Sequence, residues 1–340
     1  MEVYFAAGGL DANPRWTCRN INLTYNQLQV KHEKHPIVGT IYILLGFFFQ
    51  VLYLLALSVI GTKDLLKHSC YKMMLCLGLF DFVCMIFSAQ VSGYFYLVGA
   101  EYCMYPHLQY IIGSSIMGCF GPVCTLSLVL VMNRLIDFWR PDIAKKLFHG
   151  KKTWFWCFLC ALYGMACFWK APSLSFNVDV GTWIFNPLIP GNTYTDYSPM
   201  WLAVNNFITT SGICGSYVGF VVLHAYKLRV TQAVESTALQ RNILRQAICI
   251  CFFTFVTTAI WASMVFYDPS IFVLHLGQLC WHLMHAVPSL VYLLLNKTIQ
   301  TRALRNLRNC TGIQTKVSYE SKTSASEEAK AYSSGGVIPA

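Results

Sequence analysis

Residues 37–61 read IVGTIYILLGFFFQVLYLLALSVIG, a run without Asp, Glu, Lys, Arg or His. The hydrocarbon core of a bilayer is about 30 Å thick and is crossed by roughly 20 mostly apolar residues in a helix. The apolar residues are continuous and do not alternate with polar ones, so the run favours a helix over a strand of a membrane barrel. It therefore predicts a first membrane-spanning helix.

Six more apolar segments follow along the chain. They are Met73–Val98, Leu108–Met132, Thr153–Trp169, Met200–Ala225, Ile243–Phe266 and Ile271–Leu295. Of the 340 residues, 56% are hydrophobic and 12% are charged, about half the usual charged fraction of a soluble domain. This composition excludes a disordered scaffold, an ordinary soluble enzyme and a disulfide-stapled secreted module. We expect an all-α membrane protein with a bundle of seven transmembrane helices.

The basic residues predict how the chain is threaded through the membrane. Of the 25 Lys and Arg residues, 20 lie in alternate loops and the carboxyl-terminal region on one side. The other side holds Arg15, Arg19, Lys31, Lys34 and Lys170. Because cytoplasmic loops carry an excess of Lys and Arg, we expect the amino terminus outside and the carboxyl terminus inside. Lys31 and Lys34 weaken this bias at the first span.

The segments divide the chain into four predicted parts. These are an extracellular segment over residues 1–36, the bundle over 37–295, a juxtamembrane helix over 296–310 and a cytoplasmic tail over 311–340. In the juxtamembrane part, apolar residues share one helix face while arginines can reach anionic lipid headgroups. A short cytoplasmic amphipathic helix is therefore expected. The polar tail is predicted to be disordered.

Four residues are candidates for covalent modification or cross-linking. Asn22 begins an Asn-Leu-Thr triplet on the expected outer side, which predicts N-glycosylation. Cys18 and Cys103 are the cysteines on the oxidising side. A disulfide between them and two separate thiols are the alternatives. Cys310 ends the juxtamembrane helix, and palmitoylation and an unmodified thiol are alternatives there.

Polar residues inside the predicted spans are candidate functional residues. A charge at mid-bilayer costs at least about 2.5–3.5 kcal/mol, and Asp81 is the acidic residue within a span. A hydrogen-bonding hub, a switch and an ion site are the alternatives for it. The fifth span carries a polar patch in its outer half, formed by Asn205, Asn206, Thr209 and Ser211.

The seventh span carries a polar stripe. His275, Gln278, His282 and His285 are separated by 3, 4 and 3 positions, which places them on one helix face. Three histidines along one straight helix cannot complete a tetrahedral metal shell. We therefore expect interhelical hydrogen bonds or pocket lining from the stripe, and no metal or other cofactor.

Several residue patterns that define other functions are missing. The third span has no acid for a cationic amine, and the seventh has no Lys for a retinal Schiff base. No Walker loop, zinc-protease helix or nucleophile elbow is found, so we expect neither an enzyme nor a nucleic-acid partner. Aromatic, histidine and amide side chains suit a small, mainly neutral organic ligand. A ligand-gated channel or transporter using the polar stripe is the main alternative.

Several short strings resemble a receptor family. Asn133-Arg134-Leu135 stands where G-protein-coupled receptors usually have Asp-Arg-Tyr, Asp81 matches the acid of their second helix, and Trp261 matches the aromatic residue of their sixth. More specific strings are LFHGKKTWFW at 147–156, WIFNP at 183–187 and the Asn205-Asn206 pair. They resemble the nematode serpentine receptor class T chemoreceptors over nearly all of the chain before the tail.

The resemblance implies a chemosensory receptor in the plasma membrane, with a sensory cell as a candidate site of expression. Its partners would be a small-molecule ligand, the lipid bilayer and a heterotrimeric G protein; the oligomeric state stays open. The ligand would bind between the outer halves of the helices, near Trp261. The resemblance also implies coupling or switch roles for Arg134, Asn133, Asp81, Pro288 and Tyr292.

The chain departs from the receptor pattern at three places. Asn133 replaces the acid before Arg134, so an ionic clamp within that motif is absent. Pro288 and Tyr292 are four positions apart where the superfamily has three, and Val287 replaces the usual Asn. The loop at residues 171–199 contains no Cys, so the resemblance leaves Cys18 or Cys167 as the partner of Cys103.

Overall fold

The computed structural model describes residues 1–19, 27–28, 32–189, 197, 200–231, 238–264, 266 and 269–311. Within these ranges the chain is mostly helical. The helices, in chain order, are α1 Glu2–Phe5, α2 Gly9–Ala12, α3 Pro36–Ile60, α4 Ser69–Met85, α5 Ser92–Val98, α6 Pro106–Trp139, α7 Pro141–Phe148, α8 Lys152–Lys170, α9 Met200–Thr231, α10 Ala238–Ser263, α11 Ile271–Leu295 and α12 Lys297–Thr311. A π-helical turn, Ile86–Val91, joins α4 to α5. Short 3-10 turns lie at Leu65–Lys67 and Tyr102–Met104.

Five helical segments of the described chain are long and apolar enough to cross a membrane. They are Pro36–Ile60, Ser69–Val98, Pro106–Trp139, Met200–Leu223 and Ile271–Leu295, and Ile248–Ser263 is a shorter apolar helix. The remaining predicted span, α8, is a helix of 19 residues bounded by Lys152 and Lys170. The prediction of a helical, membrane-spanning chain is confirmed at this level.

Close packing of α6 against α8 depends on small residues. Pro122 lies inside α6, and a Cβ atom added at Gly164 of α8 would lie 2.3 Å from its Cγ atom. The same atom would lie 2.5 Å from the carbonyl oxygen of Gly118. The two helices therefore approach at backbone distance, as small residues allow in membrane bundles.

A β-hairpin covers one end of the bundle. It lies in the loop at residues 171–199, where the sequence analysis assigned no helix or strand. Strand β1, Ser175–Asn177, pairs antiparallel with β2, Thr182–Ile184, so that Phe176 lies opposite Trp183. Both of these side chains are buried. The turn needs Gly181, whose φ of 68° is readily adopted by glycine. We call this side of the bundle the hairpin end.

The amino-terminal segment covers the same end. The structure contains a disulfide between Cys18 and Cys103, with Cα atoms 5.8 Å apart, while Cys167 is a free thiol. Trp16 is buried, and its ring meets that of Tyr102 at 5.6 Å. The Tyr102 hydroxyl donates a hydrogen bond of 3.1 Å to the carbonyl oxygen of Trp16. Burial raises the pKa of Tyr102 well above its ordinary value, which keeps this donor protonated.

The opposite side, which we call the Arg134 end, carries Arg134, α7 and α12. Helix α12 buries Ile299 and Ala303 and leaves Leu304 and Leu307 exposed, so only part of the predicted apolar face packs on the bundle. Cys310 lies in α12, but its side chain is outside the described part of the structure. The predicted glycosylation site Asn22 and residues 312–340 of the predicted tail also lie outside the described residues.

Candidate ligand-binding site

A small cavity of about 40 Å³ lies beside the hairpin, between α6, α9, α10 and α11. Its lining residues are Ile116, Met117, Phe120, Leu174, Trp183, Phe185, Leu202, Asn206, Trp261 and Trp281. None of these side chains carries a charge, and nine of the ten are aliphatic, aromatic or thioether groups. Because an unpaired charge is costly in such surroundings, the cavity suits an uncharged, largely apolar molecule.

Asn206 supplies the amide group in the lining. Its side chain is fully buried, and its Oδ1 atom accepts a hydrogen bond of 3.1 Å from Nδ2 of Asn205. Asn205 is held in turn by the Tyr163 hydroxyl, which donates to its Oδ1 atom over 2.9 Å. The Nδ2 atom of Asn206 is buried without a hydrogen-bond partner. Asn206 belongs to the lining, while the surface of the cavity itself is apolar.

The structure places two of the predicted ligand-binding residues, Asn206 and Trp261, in the cavity lining. Asn205 is buried behind Asn206, and the Thr209 hydroxyl donates to the carbonyl oxygen of Asn205 over 2.8 Å. These residues support the lining from one side. Ser211 of the predicted patch is exposed on α9 and does not line the cavity.

The polar stripe of α11 lies outside the cavity and faces other parts of the protein. Gln278 accepts a hydrogen bond of 2.7 Å from the Thr182 hydroxyl of the hairpin. The Nδ1 atom of His282 lies 3.4 Å from the Ser88 hydroxyl in the π-helical turn. His275 is exposed beside the hairpin turn; a Cβ atom at Gly181 would lie 2.7 Å from its Nε2 atom. The stripe thus fastens α11 to the hairpin and to the second span.

His285 and Asp81 form a buried pair deeper in the bundle. The Nδ1 atom of His285 lies 2.8 Å from Oδ1 of Asp81, and both side chains are at most 1% exposed. The Tyr53 hydroxyl of α3 donates to the carbonyl oxygen of His285 over 2.5 Å. Of the other predicted switch residues, Pro288 and Tyr292 are buried in α11. The described residues contain no group of three or more His, Cys, Asp and Glu that could hold a metal ion.

The Arg134 end has a larger and more polar cavity of about 410 Å³. Half-buried Arg134 lines it together with Asp137, Lys145 and His149. The neighbouring Asn133 is not a lining residue, but its Oδ1 atom accepts a hydrogen bond of 3.5 Å from the hydroxyl of Ser69, which lines the cavity. This face presents both acidic and basic groups around an open depression.

A set of amide contacts, which we call the Gln246–Asn296 bridge, closes one side of this depression. Asn296 donates to Oε1 of Gln246 over 3.2 Å, and Gln246 donates to the carbonyl oxygen of Leu295 over 3.1 Å. The Tyr71 hydroxyl of α4 lies 3.4 Å from Oδ1 of Asn296. The bridge therefore joins α4, α10 and the junction of α11 with α12.

Sequence patterns did not reveal most of the cavity lining. Leu174, Trp183 and Phe185 come from the hairpin loop, and Trp281 comes from the face of α11 beside the polar stripe. The WIFNP string contains Trp183 and Phe185. It indicated a resemblance to a family, but it did not indicate that these side chains line a cavity. The Gln246–Asn296 bridge was likewise not predicted.

Comparison with known proteins identifies the class of this protein. Residues 3–316 match the family described as serpentine type 7TM GPCR chemoreceptor Srt, so the chain belongs to this family of membrane receptors. It is similar to serpentine receptor class T-55 of Caenorhabditis elegans, with 25% identity over 276 residues. That alignment covers 80% of this chain and 75% of the relative. The predicted family is confirmed, and it is a family of chemoreceptors and not of enzymes.

Proposed function

We propose that this chain is a plasma-membrane receptor that binds a small neutral molecule at the hairpin end and activates a heterotrimeric G protein at the Arg134 end. The observation that carries the proposal is the pair of cavities at opposite ends of one helical bundle. A ligand that binds one bundle arrangement more tightly than another shifts the population towards it. The two sites are then coupled reciprocally.

The threading in this proposal uses seven crossings, made by α3, α4 with α5, α6, α8, α9, α10 and α11. Five segments with the length and hydropathy of membrane spans, together with the family match, support it. The amino-terminal segment and the hairpin would lie outside, where an oxidising environment would preserve the Cys18–Cys103 disulfide. Helix α12 would lie along the inner membrane surface, with residues 312–340 in the cytosol. Glycosylation of Asn22 and palmitoylation of Cys310 are parts of this proposal.

Two contact routes lead from the ligand cavity towards the inner face. Trp281 lines the cavity and meets the ring of His285 at 5.9 Å, and His285 holds Asp81. Trp261 lines the cavity on α10, and Gln246 lies 15 residues before it on the same helix, roughly 22 Å away. A ligand that moves Trp261 would therefore act on the helix whose far end the Gln246–Asn296 bridge holds.

The polar stripe supports the receptor over the channel alternative. Gln278, His282 and His285 make contacts with Thr182, Ser88 and Asp81. Side chains that are engaged in this way stabilise the bundle and are not arranged along an open permeation path.

The proposal is tested by expressing the full chain with a reporter G protein and screening small neutral molecules. Leu202→Trp should fill the cavity and remove the response, and Arg134→Ala should remove activation while surface expression is retained. Arg140→Ala is the matched control, because Arg140 is exposed and pairs with Asp142 at 3.0 Å outside the inner cavity. A ligand response that survives both Leu202→Trp and Arg134→Ala would contradict the proposal.

A further inference from the structure

We infer that His32, Glu101 and Asp179 form a proton-binding site that fastens the cover of the hairpin end when the medium on that side is acidic. The cover is the hairpin together with the segments before α3 and between α5 and α6. The inference goes beyond the proposed function, and only the placement of the site outside the cell rests on that function. It is carried by a histidine that is buried between carboxylates from two other parts of the chain.

The geometry of the site defines its need for a proton. The His32 side chain is 5% exposed; its Nδ1 atom lies 2.6 Å from Oδ2 of Asp179, and its Nε2 atom lies 3.7 Å from Oε2 of Glu101. Because an ionised carboxylate can only accept, the Nδ1–H group donates to Asp179. The Nε2 atom is buried without a hydrogen-bond partner. In a neutral ring this nitrogen is an acceptor, and it lies beside a second acceptor.

Protonation of Nε2 removes this conflict. The imidazolium ring carries an N–H donor on each nitrogen, so that each carboxylate then has a donor and an opposite charge beside it. Hydrogen bonds of this kind are about twice as strong as those between neutral groups. The Glu101 side chain is only 12% exposed, and pairs that are buried to this extent are screened weakly by salt. Histidine is also the side chain that ordinarily changes charge between about pH 5 and pH 8.

The charged groups around His32 favour the charged ring. The hairpin turn contributes Asp179, and the segment between α5 and α6 contributes Glu101. On the same segment as His32, the neighbouring Glu33 and Lys34 are both exposed and opposite in charge. They therefore largely offset each other, and the two carboxylates that contact the ring determine its electrostatic surroundings.

The site adds one more segment to an assembly that is already tied together. The side chain of Gln109 donates to the carbonyl oxygen of Glu101 over 2.8 Å and accepts from the backbone N–H of Phe176 over 2.7 Å. These bonds hold the hairpin on the segment between α5 and α6. His32 lies four residues before α3, and its two pairs hold that segment on the same assembly. The hairpin also supplies part of the cavity lining, so acid would tighten the cover beside the candidate ligand site.

The inference is tested by thermal unfolding of the purified full chain in lipid nanodiscs at pH 5.5 and pH 7.5. Carboxylates ordinarily lose their proton near pH 4, so this range tests histidines. A group that is stabilised in its protonated form contributes at the lower pH and loses its contribution as the pH rises. We expect the melting temperature to gain about 2–4 °C at pH 5.5 relative to pH 7.5, beyond the change seen in His32→Gln.

A second variant and a control separate proton binding from packing. Asp179→Asn should lose most of the same gain, because the amide carries no charge, and the 55% exposed side chain of Asp179 can be replaced without disturbing the core. His107→Gln should keep the gain. His107 is exposed at the same end of the bundle, where its ring meets that of Tyr4 at 5.7 Å.

The outcomes separate this inference from the proposed function. If His32→Gln and Asp179→Asn change with pH as the unmodified chain does, the inference is overturned, even when both variants are less stable at each pH. If His32→Gln does not fold, Asp179→Asn compared with His107→Gln decides. These measurements involve neither a ligand nor a G protein, so their failure leaves the proposed function standing. A chain that shows the gain but never activates a G protein contradicts the proposed function alone.

Discussion

The Nδ2 atom of Asn296 donates a hydrogen bond of 3.2 Å to Oε1 of Gln246, and this contact joins one end of α10 to the junction of α11 with α12. Both residues line the cavity that contains Arg134. Asn133, and not an acid, precedes Arg134 in the sequence, and the bridge offers a way to hold α10 close to its neighbours. In our account, it stabilises the resting arrangement.

Replacing Gln246 with leucine should raise signalling in the absence of ligand. The change removes the bond from Asn296 and the bond to the carbonyl oxygen of Leu295, and each is worth about 1 kcal/mol. Because about 2 kcal/mol in total corresponds to roughly thirtyfold in an equilibrium, we expect basal G-protein activity to rise by up to about thirtyfold at equal surface expression. Arg305→Ala is the control, because Arg305 is exposed on α12. Unchanged basal activity in Gln246→Leu would refute the role of the bridge.

Removing His285 should destabilise the bundle through Asp81. His285→Leu leaves Asp81 buried without its partner at 2.8 Å, and a buried polar group without a hydrogen-bond partner costs about 1–3 kcal/mol, and more when it is charged. Surface expression and thermal stability should fall strongly. The double variant His285→Leu with Asp81→Leu should recover much of both, because the uncompensated group is gone. If the double variant is as impaired as the sum of the single variants, the pair is not coupled.

The disulfide should stabilise the cover at the hairpin end. It joins residues 85 positions apart, and closing a loop of this length contributes about 2–5 kcal/mol. Cys18→Ser should lower the melting temperature, and Cys18→Ser combined with Cys103→Ser should be no worse than either alone. Cys214→Ser, which replaces an exposed free thiol, should have no effect. Additive losses from the two cysteines would argue against the bond.

Stability at alkaline pH should depend on Tyr102. Desolvation raises the pKa of this phenol above its value in the unfolded chain, which is about 10. Its contribution is therefore fully present below about pH 10 and is lost as the pH rises further. Thermal unfolding between about pH 8 and pH 11 should show a shallower loss of stability for Tyr102→Phe than for the unmodified chain. Parallel curves would contradict this prediction, because they would show that the pKa of Tyr102 is the same in the folded and the unfolded chain.

The helices could be predicted because the length and composition of each apolar run are those of a helix that crosses a membrane. The segment 37–61, for example, agrees with α3 at Pro36–Ile60 to within one residue at each end. The hairpin could not be predicted in this way, because its strands are three residues each. Its position depends on contacts with distant residues, such as the bond from Trp183 to Ser92.

The sequence predicted which polar residues lie within the spans, but it did not predict which of them line the cavity. Asn206 and Trp261 were chosen and both line the cavity, whereas His275, Gln278 and His282 face the hairpin and the second span. All of the latter are polar residues in a span, and the sequence does not show which neighbour each one meets. The pairing of His285 with Asp81 crosses 204 positions, so only the packed structure reveals it.

The orientation of the chain in the membrane is the claim on which the proposed receptor function most depends. It is tested by epitope tags placed before Met1 and after Ala340, stained in intact and in permeabilised cells. Our account predicts that the amino-terminal tag is stained on intact cells and that the carboxyl-terminal tag is stained only after permeabilisation. Staining of the carboxyl-terminal tag on intact cells, with the amino-terminal tag protected, would contradict it.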